Sequence, residues 1–573
     1  MERDTGSRSR TATVLMTVLV TFALFATAII AVPLVMESEA GPAERSKANN
    51  VIMMVPDGAS STHTTLARWY KNATLALDEM PVGLVRTYGA QSIITDSAPA
   101  ATAFATGYKT SDKYIGVLPG PVTIPGVCEP PSEDQFKPVA SILEAAKLKG
   151  MSVGIVCTSN VQHATPAGFS AHWTDRNNYN EIAEQQVYEE IDVMFGGGLD
   201  YLIPESEGGM RTDGTNLTEV LVSRGYSYIT TRGELLNLTP SVSRVWGLFA
   251  SNAMAHDMDR ELHPEEPSLS EMTDAAIGIL SKNPKGFFLL VEGSQVDWSS
   301  HANDPVGVIS ETLAFDDAVK VSLDFAKADG KTLVMAFSDH GNGGMTIGDW
   351  ASNSTYSKMP LSSVMDPLKK ATATGYALME ILGEEVTAES VRSQVNTHYG
   401  LDLTDEEVTR ILSAYNVTSG KWDVDTDYLL GPMISERSHI GWTTSGHTGE
   451  DVTLYAYGPG APSGLLDNTE LPQVAARAIG VDLDRTNKAL YVEAEAALTC
   501  LGLGMEIDDH DPQNKELVVM SKGKEVARLA LSTDLMEVSG KALELSGLVV
   551  YSEKSEKVYV PQDAIQHLKR LCR

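Results

Sequence analysis

The chain has 573 residues, 43% hydrophobic and 21% charged, with a formal net charge of −32. That length accommodates about two or three domains with well-filled cores. The charge argues against nucleic-acid binding, since such a surface repels a polyanion; an anionic substrate would need a locally positive pocket, which bound metal ions could supply.

No charged residue stands between Arg10 and Glu37. Roughly 20 apolar residues span a bilayer and a signal core is shorter, so residues 1–36 are expected to be an uncleaved anchor. Cleavage remains open, because Ser38-Glu39-Ala40 offers small residues for processing. Arg3, Arg8 and Arg10 precede the segment, which leaves the N-terminus inside and places the body outside the cytoplasm, membrane-anchored or secreted. Residues 37–49 read as a linker.

From residue 50 to about 350 short apolar runs alternate with helical segments, the α/β pattern. Val51–Val55 runs into Pro56-Asp57-Gly58. Gln91–Ile94 reads as a strand leading to Thr95-Asp96-Ser97-Ala98-Pro99, where the proline and alanines suit the first turn of a helix. Ser97 would then lie at or near the N-cap, where free amides and the helix dipole favour an anion. Phe287–Val291 runs into Glu292-Gly293, with Asp297 and His301 close behind; Thr332–Phe337 runs into Ser338-Asp339-His340. Such runs read as strands buried on both faces of a parallel sheet, and ligands bind beyond the carboxyl ends of such strands. A three-layer α/β/α core is expected, with Asp57, Ser97, Glu292 and Asp339 meeting at one sheet edge. Asp297 and His301, four apart, can share a helix face.

Residues 360–438 read as a helical insertion, with Asp366-Pro367 as a helix start and Thr404-x-x-Glu407 as a capping box. The parallel sheet is expected to resume at Val452–Tyr457. Residues 489–573 read as a small β-rich module, with strands at 517–520, 526–529, 542–545 and 558–560 and hairpin turns at 521–524 and 554–557. The four cysteines, Cys128, Cys157, Cys500 and Cys572, form no C-x-x-C pair, so a thiolate zinc site is not expected; one or two disulfides stay open. Five N-x-[ST] sequons start at Asn72, Asn216, Asn237, Asn353 and Asn416.

Several ordered motifs carry a resemblance: Pro56-Asp57-Gly58, Asp96-Ser97-Ala98, His163-Ala164-Thr165-Pro166, Arg176, Val291-Glu292-Gly293, Asp297-x-x-x-His301, Asp339-His340 and Gly446-His447-Thr448-Gly449. Over about residues 50–350 and 440–480 the chain resembles the alkaline phosphatase family, and Val291–Asn303 is similar to its Gram-positive bacterial and archaeal members. The resemblance implies two zinc ions and one magnesium. Asp297, His301 and His447 would hold one zinc; Asp57, Asp339 and His340 would hold the second, facing Ser97. Asp57, Thr165 and Glu292 would hold magnesium, and Arg176 would clamp phosphate. It implies release of phosphate from small phosphomonoesters through a phosphoserine on Ser97, and a homodimer. The residue types agree: zinc takes nitrogen and carboxylate ligands, magnesium takes oxygen, and the arginine fork matches two phosphate oxygens. A serine needs activation to attack, and paired cations about 4 Å apart stabilise an in-line displacement.

Two positions depart from the family pattern. His163 stands where many members carry aspartate, which leaves the identity of the third metal open. Trp298 stands where many carry lysine, near the phosphate, and its alternative is plain packing. The C-terminal module resembles the domain at the N-terminus of copper amine oxidases. Among related readings, a sulfatase would need arginine where Ala101 stands, and the phosphodiesterases of the superfamily commonly use threonine as nucleophile. A surface-attached binding protein with a degenerate enzyme domain is the alternative of another class, and the intact ligand set argues against it.

Overall fold

The computed structural model describes residues 47–384 and 386–571. The expected anchor and Cys572 lie outside the described residues, among which no helix is long and apolar enough to cross a membrane. A ten-stranded sheet forms the centre. Its strands are β1 (Asn50–Pro56), β2 (Val82–Arg86), β3 (Ser152–Asn160), β4 (Val193–Gly197), β5 (Ser227–Ile229), β6 (Val245–Leu248), β7 (Phe287–Gly293), β8 (Thr332–Phe337), β9 (Val452–Tyr457) and β10 (Gly464–Asp467), in the order β10-β2-β9-β8-β1-β7-β3-β4-β6-β5.

The period of two along β1 sends Val51, Met53 and Val55 to one face and Ile52 and Met54 to the other, and both sets are fully buried. On the first face they meet Phe104 of α1 (Ser97–Thr106); on the second they join a core with Met272 of α2 (Leu269–Leu280) and Phe315 of α3 (Pro305–Asp329). These are the three layers expected from the unbroken apolar runs. Val55 lies beside Glu292 and Met54 beside Ala336, so β1, β7 and β8 end together at one rim.

Two strand expectations fail. Val452–Tyr457 runs antiparallel to both β8 and β2. Its burial alternates, with Val452, Leu454 and Ala456 inside, the signature of a strand covered fully on one face only. Residues 91–94 form no strand; the segment is a surface loop in which Ile93 is 72% exposed, and the preceding strand is β2.

The stretch from 361 to 437 is mainly helical and has its own core of Val364, Val391, Val395, Ile411, Leu430 and Ile434, packed on Val306 and Ile309 at the start of α3. Thr404 and Glu407 form the reciprocal capping box. Asp366-Pro367 does not open a helix: Pro367 lies near the end of Leu361–Leu368, where its missing N–H removes a bond only from the last turn.

Beyond residue 490 a five-stranded antiparallel sheet and a three-stranded one take in all four expected runs. Ser521 pairs with Lys524 across Lys522 and Gly523, whose φ angles of 51° and 75° make the tight turn that a right-twisted hairpin favours. Tyr491 anchors this segment, its hydroxyl donating to Glu144 and lying within hydrogen-bond distance of His172 Nε2 in a buried cluster. Cys128, Cys157 and Cys500 are free thiols.

Candidate metal centre

Asp57 leaves β1 at the rim, and Gly58 after it has φ 70°. A Cβ on Gly58 would come within 2.6 Å of Asp297 Oδ1, so only glycine lets the two acidic segments approach. The Gly58 amide donates to Asp339 Oδ1 at 3.0 Å, tying the ends of β1 and β8 together. Helix α1 begins at Ser97 itself, with Asp96 as its N-cap residue. Asp96 makes no side-chain cap; it accepts from Arg176 Nη1 at 2.6 Å. The short helix 164–170 carries Thr165 at its start, just after His163. It lies close against α1 because a Cβ on Gly168 would meet Ala101 at 2.7 Å.

Three groups of ligand-type side chains converge, the atoms of each within 4.8 Å of one another: Asp297 with His301 and His447, Asp57 with Asp339 and His340, and Asp57 with His163 and Glu292. Asp57 is shared by two of them. Thr165, fully buried, lies against Glu292. His301 and His447 each engage a backbone carbonyl through Nδ1, Ser445 O at 2.7 Å and Thr95 O at 2.9 Å. That fixes the tautomer and turns both Nε2 atoms inward, 3.2 Å apart, toward Asp297. Ser97 Oγ stands 3.2 Å from His340 Nε2. Arg176 Nη2 donates to His163 Nε2 at 3.0 Å, and the Trp298 ring meets His163 edge-on at 5.7 Å.

The electrostatics are those of a site deficient in positive charge. Burial, with repulsion from Asp339, Asp297 and Glu292, drives the Asp57 carboxyl far above its usual range. Burial lifts Glu292 to about 7 despite the hydrogen bond from Ser294. Burial opposes a charge on His340, but Asp339 overrides it and raises the imidazole to about 9. Burial and the nearby Arg176 push His163 down to about 3, so it is neutral, and its one lone pair, on Nε2, accepts from Arg176. Both Asp57 oxygens, Glu292 Oε1, and Nδ1 of His163 and His340 are buried without hydrogen-bond partners. The orphaned carboxylate oxygens of Asp57 and Glu292, crowded by Asp297 and Asp339, fit divalent cations, which would take the place of the protons the cluster otherwise retains.

Every residue singled out in the sequence thus lies in or beside one cluster. Asn342 was missed: its Nδ2 donates to Asp297 Oδ1 at 2.7 Å and to the Asp297 carbonyl at 3.0 Å. Ser294, which donates to Glu292 Oε2 at 2.7 Å, was missed too. Their closeness to the motifs was the only available signal.

An α/β sheet whose strand ends gather four carboxylates, four imidazoles, an arginine and a helix-terminal serine defines a metal-dependent hydrolase of phosphate esters. Residues 48–481 match the alkaline phosphatase family, and the chain belongs to it as a metal-dependent phosphomonoester hydrolase. It is 35% identical to alkaline phosphatase 3 of Bacillus subtilis over 472 residues, covering 78% of this chain and 94% of that one. The crystal structure of Thermus thermophilus alkaline phosphatase superposes with a TM-score of 0.67 at 29% identity, covering 76% of this chain and 92% of that one. Another similar structure is a variant of the TAB5 alkaline phosphatase with a histidine changed to aspartate and Mg bound in its M3 site; its TM-score is 0.53 at 28% identity, with 76% and 99% of the two chains covered.

Proposed function

We propose that Ser97 is the nucleophile of this hydrolase and that the three residue groups each hold one ion. Asp297, His301 and His447 would take one Zn2+, and Asp57, Asp339 and His340 the other. Asp57, Glu292 and Thr165 would take Mg2+, with His163 beside them and paired to Arg176. When bound, these ions supply the positive charge that makes the serine hydroxyl acidic and stabilises the oxygens entering and leaving phosphorus. Arg176, held by Asp96, binds two oxygens of the phosphoryl group and fixes its orientation. Ser97 Oγ, its proton given up to solvent, attacks phosphorus in line as the P–O ester bond breaks, and the departing oxygen takes up a proton to leave as the alcohol; water, losing a proton, then attacks the phosphoserine, and Ser97 departs reprotonated as inorganic phosphate is released. Trp298, which stands where many relatives carry lysine, leaves one positive charge fewer beside the phosphate.

The observation that carries this reading is the placement of Ser97 Oγ 3.2 Å from His340 Nε2, at the start of a helix and beside the cluster that shares Asp57. The deciding experiment is acid-quenched labelling with a radioactive monoester, together with metal analysis. Wild type should trap label on Ser97. Ser97→Ala should retain its metals yet lose the label and nearly all turnover. Full turnover in the metal-loaded variant would remove Ser97 from the role.

The same reading extends to the whole chain. Residues 50–488 would be the catalytic domain with the 360–438 insertion, and 489–573 an accessory module beyond the family match. The apolar residues 11–36 support export, anchored or cleaved, and family membership supports a homodimer. Sedimentation of the detergent-free protein and N-terminal sequencing of the exported form test both.

A further inference from the structure

Beside the metal cluster the fold leaves a cleft of about 580 Å³. Its floor is the helix Gln295–His301, and Trp298 and His301 border both cleft and cluster. The loop of residues 252–266 forms one wall, with Asp259 and Glu266. The helical insertion forms the other, with Tyr376, Glu380, Asp425, Asp427 and Tyr428.

The lining is charged in one sense only. It carries five carboxylates, Asp259, Glu266, Glu380, Asp425 and Asp427, and no lysine or arginine among the described residues. Some of them are answered: His263 lies 2.9 Å from Glu380 and 3.9 Å from Glu266, and Asp259 accepts from Thr374 N and Oγ1. Asp425 and Asp427 make no ion pair among the described residues. Burial and repulsion from Asp304 and Asp425 lift Asp427 to about 7.

Polar and aromatic groups complete the floor and walls. Gln295 is fully buried; its Nε2 donates to Thr158 O and Met254 O, while its Oε1 has no donor. The rings of Tyr376 and Tyr428, 45% and 40% exposed, add faces that attract a cation.

We propose that this cleft receives the alcohol half of the substrate and selects phosphomonoesters whose alcohol carries a positively charged amine or quaternary ammonium. The inference rests on the proposed site, since His301 would stand on the leaving-group side of a phosphoryl group facing Ser97. A dianionic phosphate at the metals and a cation in the cleft then match the two opposite fields of the site. An alcohol that carries a carboxylate meets repulsion instead.

The test compares kcat/KM for phosphocholine, glycerol 3-phosphate and 3-phosphoglycerate in wild type, Asp425→Asn, Glu380→Gln and Asp425→Lys, at fixed ionic strength and with metal content measured in each. Asp425 and Glu380 are exposed, so these variants should fold. In wild type phosphocholine should be preferred to 3-phosphoglycerate. Each neutralised carboxylate should shrink that preference by about threefold to tenfold, the range for a partly solvated charge pair, and Asp425→Lys should shrink it most. Added salt should shrink it in wild type. An identical preference in all four proteins overturns the proposal while leaving the phosphatase reading intact. Failure of metal-loaded wild type to hydrolyse any of the three esters overturns both.

Discussion

Replacing His163 with aspartate probes the third ion group most directly. His163 is neutral here, and its ligand atom lies within 4.8 Å of those of Asp57 and Glu292. A carboxylate at that distance repels each ionised neighbour by about 3.5 kcal/mol at an effective dielectric constant near 20. Arg176, now 3.0 Å from His163 Nε2, would pair with the new charge and offset part of this. Glu292 sits at about 7, so repulsion in the metal-free protein should be stronger above that pH than below it. Magnesium relieves the repulsion, and 3.5 kcal/mol is a factor of about 400 in affinity, which Arg176 should reduce to about 10–100-fold. Titration calorimetry with Mg2+ on chelator-stripped, zinc-reconstituted protein measures this. Thermal unfolding with and without Mg2+, on either side of pH 7, gives the companion readout. Equal Mg2+ affinity in a folded His163→Asp variant and wild type would refute the placement of residue 163 beside the ion.

Three further outcomes are expected. Trp298→Lys should tighten inhibition by inorganic phosphate about tenfold at neutral pH, where a new ammonium faces a dianion in a partly desolvated site; an unchanged inhibition constant would place residue 298 outside the phosphate's field. Asp534→Ala should destabilise the protein by about 1.5–3 kcal/mol in urea unfolding, because it removes both hydrogen bonds that Arg224, whose side chain is 9% exposed, donates to Asp534 and leaves it only Glu190 and Glu544 at 3.8 and 3.7 Å; a loss under 1 kcal/mol, the level of a surface pair, would contradict that. Tyr491→Phe should cost about 1–2 kcal/mol and change the pH dependence of stability. Burial raises Glu144, but His172 and Tyr491 outweigh it and hold its pKa below the ordinary 4.5, so its contribution is present above 4.5 and lost as pH falls through the depressed value. Burial lowers His172, but Glu144 outweighs it and holds it above 6.5, so its contribution is complete below 6.5 and lost as pH rises through the raised value. Wild type therefore gains most from the pair between 4.5 and 6.5, and the variant's acid limb should move to higher pH; parallel stability curves for the two proteins would refute this.

Local pattern determined much of this molecule. The unbroken apolar runs of β1, β7 and β8 announced strands buried on both faces, and the acidic residues that end them marked the rim. Thr404 and Glu407 announced their helix start, because a capping box needs only residues three apart. What the sequence could not settle depended on contacts between distant segments. Val452–Tyr457 is as apolar as a parallel strand, and only its place between β8 and β2 made it antiparallel. The exposure of residues 91–94 and the place of Pro367 late in its helix were likewise decided by packing. Asn342 became the support of Asp297, and the carbonyls of Thr95 and Ser445 the tautomer locks of His447 and His301, across separations of 45, 352 and 144 residues. Residue type and spacing encode the period of a strand and the cap of a helix. They do not encode which backbone carbonyl will face an imidazole hundreds of residues away, because that follows from the register of β1 against β7 and β8 and from the close approaches at Gly58 and Gly168.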